Sequence, residues 1–428
     1  MKIRPYSFVA VPASLVLVAS APPVYANFFE DGKASLELRN FYFSRDFRDS
    51  TTLQSKREEW AQGFILNLQS GFTEGDVGFG LDAVAMLGVK LDSSPDRSGT
   101  GLLPRGADKR AEDSYAKVLP TAKVRLSKSE LRVGGLSPVL PLLASNNSRL
   151  LPQVFTGGQL VSQDLDRLTF TLGRIDSVKQ RDSSNSEDLT ASAQFGAYST
   201  RVSSDHYNYG GVDYLVLPSL TLSYHLSELE DLFRRDYFGL KFSPAIGPGK
   251  AFAELRYFAA NEAGQELAGK VDNRTLSSNF GYSWAGQTIS AGYQEAKGDS
   301  PFPYVSGTDT YLFSEMLVST FALAEERAWY GRYDYDFAQL GVPGLTFSLR
   351  YVKGEDVDPT AVTTVKAAAL RASGQTGSEW ERSTDLTYVV QSGPLKNLSL
   401  RWRNATNRSD YADGADENRL IFSYSISL

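Results

Sequence analysis

The sequence predicts an all-β fold, a transmembrane antiparallel β-barrel, from three observations. Apolar and polar residues alternate with a period of two from one end of the chain to the other. The alternating runs are joined by two kinds of connection, short Pro/Gly turns and long polar loops. After the N-terminal segment, no stretch approaches about 18 consecutive apolar residues, which excludes helical membrane spans.

The N-terminal segment has the features of a secretory signal peptide. Lys2 and Arg4 precede a mostly apolar run, residues 8–21, and a Val-Tyr-Ala motif then places small residues where a signal peptidase cleaves. The apolar run is shorter than the roughly 20 residues that a spanning helix needs. We therefore predict that residues 1–26 are a cleaved signal peptide and that residues 27–428 form a single barrel domain.

Composition narrows the class of partner. The chain has 44 basic and 50 acidic residues, a formal net charge of −6, which argues against nucleic acid as a partner. It contains no cysteine, so neither a disulfide framework nor a thiolate metal site exists in a protein predicted to be exported.

The alternation fits either a soluble β-sandwich or a membrane barrel. Single sandwich cores rarely grow beyond roughly 250 to 300 residues, and no linker or change of period interrupts this chain, so one continuous barrel is the simpler interpretation. The closing strand, residues 419–428, shows the pattern: one face carries Leu420, Phe422, Tyr424, Ile426 and Leu428.

The connections indicate an outer-membrane barrel, which has short turns at one rim and long loops at the other. At roughly 20 to 25 residues for each strand with its share of loop, we expect about 16 to 18 strands and a lumen wide enough for water unless a loop folds into it. The short turns are predicted at residues 244–249, 341–344 and 392–394, and the long loops at residues 92–113, 261–273, 355–382 and 404–418.

The stretch LSLRWRN, residues 398–404, shows what faces the lumen. Its Leu and Trp residues share one side, whereas Arg401 and Arg403 share the other, about 7 Å apart along the strand. An arginine facing lipid costs roughly 2 to 4 kcal/mol at the midplane, so both arginines point inward. The same reasoning turns Arg332, Arg350 and Arg419 inward.

These inward arginines allow two interpretations. A row of guanidinium groups lets a carboxylate step from one group to the next, each binding it in bidentate fashion. Alternatively, each arginine pairs with an inward acid such as Asp334, Asp336 or Asp385.

Several long strings resemble the OprD family of outer-membrane porins, and the resemblance runs from the first mature strand to the last residue. They are RNFYFSRDFRD (39–49), SGFTEGDVGFGLDAVAMLGVKLD (70–92), SRLLPQ (148–153), ELEDLFRRDYF (228–238), LGVPGLTFSLRYVKGEDV (340–357) and YVVQSGPLKNLSLRWRN (388–404).

The resemblance implies an 18-stranded barrel of the bacterial outer membrane, monomeric or weakly trimeric, narrowed by inward-folded loops. It implies a channel selective for small carboxylate-containing solutes, such as amino acids or aromatic acids, with a ladder of basic residues leading to the constriction. Residues 134–158 are similar to the loop that folds into the pore, with Arg149 at or near the constriction. The ladder residues that it implies are Arg45, Arg57, Arg350, Arg401, Arg403 and Arg419.

Two departures from the family pattern leave the substrate open. Residues 47–56 replace a Gly/Lys-rich stretch that some members carry after the first strand. Thr387 stands where some members have a lysine, so the ladder is a rung shorter here.

Enzyme chemistry finds little support in the sequence. The two histidines, His206 and His225, have no Gly-x-Ser-x-Gly motif near them, and the acidic stretch 410–417 misses the EF-hand spacing and is interpreted as a solvated loop. We expect no catalytic residue, metal or cofactor. The alternatives are a non-selective general porin and a plugged barrel acting as an adhesin or outer-membrane enzyme.

The expected partners follow from this interpretation. They are small anionic or zwitterionic solutes in the lumen, outer-membrane lipids and lipopolysaccharide around the wall, and a weak homotrimer, with no role for nucleic acid.

Overall fold

Eighteen antiparallel strands close into one barrel. The computed structural model describes residues 28, 30–49, 54–199 and 201–428, so the predicted signal peptide, residues 1–26, lies outside the described residues. Each strand pairs with its neighbour in chain order, and the first strand pairs with the last. The predicted all-β class and strand number are confirmed. Within the described residues, closure leaves the barrel sheet without an unpaired edge, as a lipid environment requires.

The strands are long enough to cross a bilayer when tilted. The first nine are β1 (Lys33–Arg48), β2 (Lys56–Gln69), β3 (Val77–Asp92), β4 (Ser114–Leu126), β5 (Ser129–Leu136), β6 (Val154–Ser162), β7 (Leu168–Lys179), β8 (Tyr207–Leu217) and β9 (Leu220–Leu229). The second nine are β10 (Phe233–Phe242), β11 (Gly249–Glu262), β12 (Asp272–Trp284), β13 (Gln287–Lys297), β14 (Arg327–Asp336), β15 (Leu345–Val357), β16 (Gly377–Val389), β17 (Ser399–Ser409) and β18 (Gly414–Ser427).

The outer face of the barrel is apolar and is bordered by aromatic side chains. Leucine, valine and phenylalanine side chains stay exposed along it, for example Leu172, 56% exposed, and Phe280, 50% exposed. Near the two rims, ring pairs form the aromatic belts that membrane barrels place at the lipid–water interfaces. At the long-loop rim they are Tyr293 with Trp329 and Tyr351 with Trp380, and at the short-turn rim Tyr282 with Trp284 and Tyr335 with Phe337.

The connections alternate between short turns at one rim and longer loops at the other, as expected from the sequence. One predicted loop is wrong, because β17 continues to Ser409 and β18 begins at Gly414. Glu417, expected in a solvated loop, is fully buried on the inner face. This hairpin extends past the apolar band, so that Asn404, Thr406 and Arg408 are polar on the outer face too and the period-two signal disappears.

Among the described residues, long loops pack inside the barrel, and three of them bear directly on the site described below. We call them L3 (residues 137–153), L4 (residues 180–206, with residue 200 outside the described part) and L7 (residues 298–326). L3 is the loop predicted within residues 134–158, although β5 and β6 take up the ends of that segment. L8 (residues 358–376) carries the helix α1 (Val365–Ser373), capped by the Thr364 hydroxyl and ended by Gly374 at φ 68°.

The hydrophobic core lies between the inner wall and these loops. Leu150 of L3, fully buried, belongs to a cluster with Phe41 and Phe43 of β1. Leu142 of L3 and Phe302 of L7 belong to a second cluster with Tyr237 and Phe258 of the wall, and the Phe258 and Phe302 rings meet edge to face at 5.1 Å. Burial of these apolar side chains therefore helps to hold L3 and L7 inside the lumen.

The helices in the described part of the chain are short, and none is long and apolar enough to cross a membrane.

The face assignment predicts unequal losses of stability for arginines placed at neighbouring positions of β15. Leu349 is an exposed apolar residue between the two aromatic belts, so Leu349→Arg should lower the free energy of unfolding by about 2–4 kcal/mol. Ser348 lies on the inner face in register with Asp334 and Asp385, so Ser348→Arg should cost far less. Urea unfolding in lipid vesicles measures both values, and equal losses would contradict the assignment.

Candidate functional site: the pore constriction

The inner face of adjacent strands carries a continuous basic surface. Arg403 of β17 lies in register with Arg419 of β18, and Arg45 of β1 lies in register with Arg57 of β2. Arg401 follows on the same face of β17, two residues toward the short-turn rim. Five of the predicted ladder residues thus lie on four strands that are consecutive around the closed wall.

Two carboxylates partly neutralise this surface. Asp385 accepts hydrogen bonds from Arg401 and lies 2.9 Å from Arg403 Nε, but the angle leaves that Nε without a hydrogen bond in the described structure. Glu417 lies between Arg45 and Arg419, at 2.5 Å from a guanidinium nitrogen of each. Two acids therefore serve four arginines. The alternative in which every arginine has its own acid does not hold here, although it does for Arg332 with Asp334.

Arg149 projects from L3 into this basic surface. Its Nε donates to the Thr100 carbonyl at 2.8 Å, its Nη1 donates to the Ser148 carbonyl at 3.0 Å, and its guanidinium lies 5.1 Å from the centre of the Phe43 ring. Arg419 Nη1 also donates to the Ser148 carbonyl. Burial first, and then the nearby Arg419, lower the pKa of Arg149 well below its usual value, but a guanidinium starts so high that it stays charged at neutral pH.

Arg181 of L4 is a second cation at the same place, and the sequence analysis missed it. Its Nη1 donates to Ser148 Oγ at 2.8 Å and to Asn146 Oδ1 at 3.2 Å, so L3 holds both arginines. The ion pairs of the described residues include neither Arg149 nor Arg181. L3 and L4 therefore bring together two guanidinium groups whose hydrogen bonds go to neutral oxygens.

L7 brings two acidic groups near the arginines of L3 and L4. Glu315 accepts from the amide and hydroxyl of Thr310, at 3.1 and 2.7 Å, and the Asp309 amide donates to the Ala144 carbonyl of L3. Burial, and then mutual repulsion, raises the pKa of Asp309 to about 7. Burial likewise raises the pKa of Glu315. Neither acid was found from the sequence.

The remaining predicted site residues lie around the constriction. Arg350 of β15 donates from Nη1 to the Glu315 carbonyl at 3.0 Å, and its buried Nε and Nη2 have no hydrogen-bond partner in the described structure. Arg57 lines a cavity of about 480 Å³ near the long-loop rim, with Arg45 and Lys366 and with the rings of Phe47 and Phe195. Thr387, where a lysine is lacking, lies in register with Arg401 and donates to Asp385.

Other charges on the inner wall hold the loops in place. Arg235 of β10 is fully buried and donates to the Leu142 carbonyl of L3 at 2.6 Å and to the Pro303 carbonyl of L7 at 2.5 Å. Lys117 of β4, also buried, donates to carbonyls of L3 and L4, including that of Arg181 at 3.2 Å. The inward parity of both residues is visible in the sequence, but their loop partners are not.

Comparisons with known proteins agree with this geometry. The model of the family described as outer membrane porin, OprD family, matches residues 26–428. The chain is 36% identical to the porin-like protein GalP of Pseudomonas putida over 98% of this chain and 97% of that protein. It is similar to the crystal structure of OccK9 (OpdG) of Pseudomonas aeruginosa, with a TM-score of 0.88 and 44% identity over 94% of this chain and all of that one. It is also similar to the crystal structure of P. aeruginosa OpdK with vanillate, with a TM-score of 0.85 and 39% identity over the same shares.

The acid on L7 predicts a pH-dependent ion selectivity. Because the pKa of Asp309 is raised to about 7, this carboxyl is neutral in acid and then offsets less of the charge of Arg149 and Arg181 than in alkali, where it is ionised. Anion selectivity should therefore rise as the pH falls from about 8.5 to about 5.5.

The reversal potential of the refolded barrel in a salt gradient measures this change. Asp309→Asn, which is neutral at every pH, should retain the low-pH selectivity throughout and flatten most of the pH profile, with Glu315 accounting for the rest. An unchanged pH profile in Asp309→Asn would contradict the assignment.

Proposed function

Since this chain belongs to the OprD family of outer membrane porins, we propose that it is a substrate-selective diffusion channel for small carboxylate-containing solutes. Membership places it in the bacterial outer membrane and makes it a channel protein. What we propose beyond family membership is the selectivity of the channel, its substrates and the roles of single arginines. Outer-membrane lipids and lipopolysaccharide would contact the apolar outer face, and a weak homotrimer remains part of the proposal.

One observation carries the proposal: Arg149 and Arg181 meet at the constriction and donate to neutral oxygens rather than to acids. A solute carboxylate that arrives there gains charge-assisted hydrogen bonds without first displacing a protein carboxylate. A neutral solute of the same size can accept hydrogen bonds from these guanidinium groups but lacks the attraction between opposite charges. The difference favours anions at the narrowest part of the lumen.

The route is proposed to begin in the cavity near the long-loop rim. There Arg57 and Lys366 attract the anion, while Phe47 and Phe195 offer apolar surface to the rest of the solute. Charges of one sign in a cleft raise the local concentration of an oppositely charged solute and its rate of association. Arg45 lines the same cavity and is paired with Glu417, so it connects the cavity with the basic surface below.

From the constriction the carboxylate is proposed to pass to Arg403 and then to Arg401. The two side chains lie on one face of β17, a spacing of about 7 Å, so that a carboxylate can contact the second before it leaves the first. Because Asp385 interacts with both arginines, it weakens their hold on the solute. A channel needs sites that bind strongly enough to attract and weakly enough to release.

Two observations bear on the class of acid that the channel admits. Vanillate, present with OpdK, is an aromatic carboxylate, and together with Phe47 and Phe195 it favours an aromatic or other organic acid. Asp309 and Glu315 provide acidic groups that an ammonium or hydroxyl group of an amino acid would contact. We therefore propose both aromatic or other organic acids and amino acids as solutes.

Loss of one guanidinium at the constriction should weaken block by a carboxylate. Arg149→Gln should raise the benzoate concentration that half-blocks single-channel current by about tenfold, since a hydrogen bond to a charged group contributes about 1.5–3 kcal/mol. Arg403→Ala should weaken the block in the same direction. Neither substitution should lower the free energy of unfolding by a comparable amount, because both side chains face the lumen.

Arg132→Gln is the matched control, since Arg132 faces the lumen from β5 and is paired with Glu130 at 2.5 Å. The benzoate concentration that half-blocks the current of Arg132→Gln should stay close to that of the wild type. Block of equal strength in Arg149→Gln and wild type would contradict the proposed role of Arg149. If neither benzoate nor arginine blocks the wild-type channel, a general porin is favoured, and absence of any current favours the plugged barrel.

A further inference from the structure

Glu381 of β16 is a fully buried carboxylate whose partners are backbone amides of L7. It accepts from three consecutive N–H groups, those of Leu317 at 2.9 Å, Val318 at 3.2 Å and Ser319 at 3.0 Å. Both side-chain oxygens of Glu381 are therefore occupied by N–H donors of the loop backbone. A carboxylate without partners in this position would be costly, so the wall and the loop satisfy each other.

The same segment of L7 is held at two further points by predicted ladder residues. Arg350 donates to the Glu315 carbonyl at 3.0 Å, and Arg419 donates from Nη2 to the Leu317 carbonyl at 3.2 Å. A turn closed by the Met316 amide and the Ser319 carbonyl, at 2.8 Å, joins these points. We call residues 315–319 the L7 segment. Its carbonyls bind two arginines and its amides bind Glu381.

The L7 segment also borders the path through the lumen. Val318 and Ser319 line the cavity of about 480 Å³ that contains Arg57. The carbonyl of Leu317 lies against Arg419, which belongs to the basic surface at the constriction. A shift of this segment would therefore change the width of the lumen and the orientation of Arg350 and Arg419 together.

We propose that Glu381 is a positioning residue that fixes the L7 segment and thereby sets both the aperture of the channel and the placement of Arg350 and Arg419. Glu381 does not touch the solute and acts through the loop backbone. The effect on aperture requires only that the barrel conducts. The effect on carboxylate selectivity rests on the proposed function.

The three amides make the carboxylate hard to replace. Glu381→Gln keeps the size of the side chain but offers one acceptor oxygen and turns an NH₂ donor toward N–H donors. Glu381→Asp keeps both oxygens on a stem that is one methylene shorter. Glu381→Gln should therefore release the L7 segment, whereas Glu381→Asp should retain part of the wild-type behaviour.

Single-channel recording of the refolded proteins in planar bilayers tests the aperture. Glu381→Gln should raise the unit conductance by about twofold or more and make current fluctuate, because a freed loop moves in and out of the lumen. Anion selectivity should fall at the same time. Glu130→Gln is the control, since it removes an equal charge from an inner-wall acid paired with Arg132.

A second pair of variants works from the loop side and leaves the wall unchanged. Val318→Pro removes the central N–H donor, and Val318→Ala removes the side chain but keeps that donor. Conductance should be clearly higher in the proline variant than in the alanine variant, which controls for loss of the side chain. This pair keeps the test decisive if Glu381→Gln fails to form a barrel.

Wild-type conductance and selectivity in a folded Glu381→Gln, or in a folded Val318→Pro, would overturn the proposal. Failure of the proposed function gives a different result. In that case benzoate fails to block even the wild type, while the increase in conductance on releasing the L7 segment persists.

Discussion

Hydrogen bonds between buried charges of the inner wall and the backbones of the inward-folded loops hold the loops, and with them the arginines of the lumen, in place. An 18-stranded barrel leaves a wide lumen. A loop that enters it gives up water around its amides and carbonyls, and these groups need new partners. Arg235, Lys117 and Glu381 supply them, from three different strands. The main structural role of these wall charges is thus to form hydrogen bonds with the loop backbones.

This use of charge explains why the lumen has a basic surface on one part of its wall. Carbonyls of L3 and L7 and side-chain oxygens of L3 are the partners of Arg149, Arg181 and Arg350. A neutral carbonyl satisfies a guanidinium N–H without cancelling its charge. The loops can therefore be anchored by arginines that stay available to a solute anion, and Asp385 and Glu417 moderate the charge of the strand arginines.

Sequence patterning predicted the wall of the barrel and only part of the constriction. Period-two alternation predicted that Arg401, Arg403 and Arg419 point inward, and the strand register places Arg403 beside Arg419. The alternation did not predict the β17–β18 hairpin, because both faces of that hairpin are polar. Arg181 and Asp309 escaped notice because irregular loops carry no period, and their positions depend on contacts with L3, which lies far away in the sequence. The partners of Lys117 and Arg235 escaped for the same reason.

A crystal structure of the protein with 4-bromobenzoate would show whether arginines of L3 and L4 bind a solute carboxylate. We expect an anomalous bromine peak in the lumen and carboxylate density within hydrogen-bond distance, about 2.7–2.9 Å, of Arg149 or Arg181. Bromine density confined to the outer face, or an unoccupied constriction at concentrations that block the current, would contradict it.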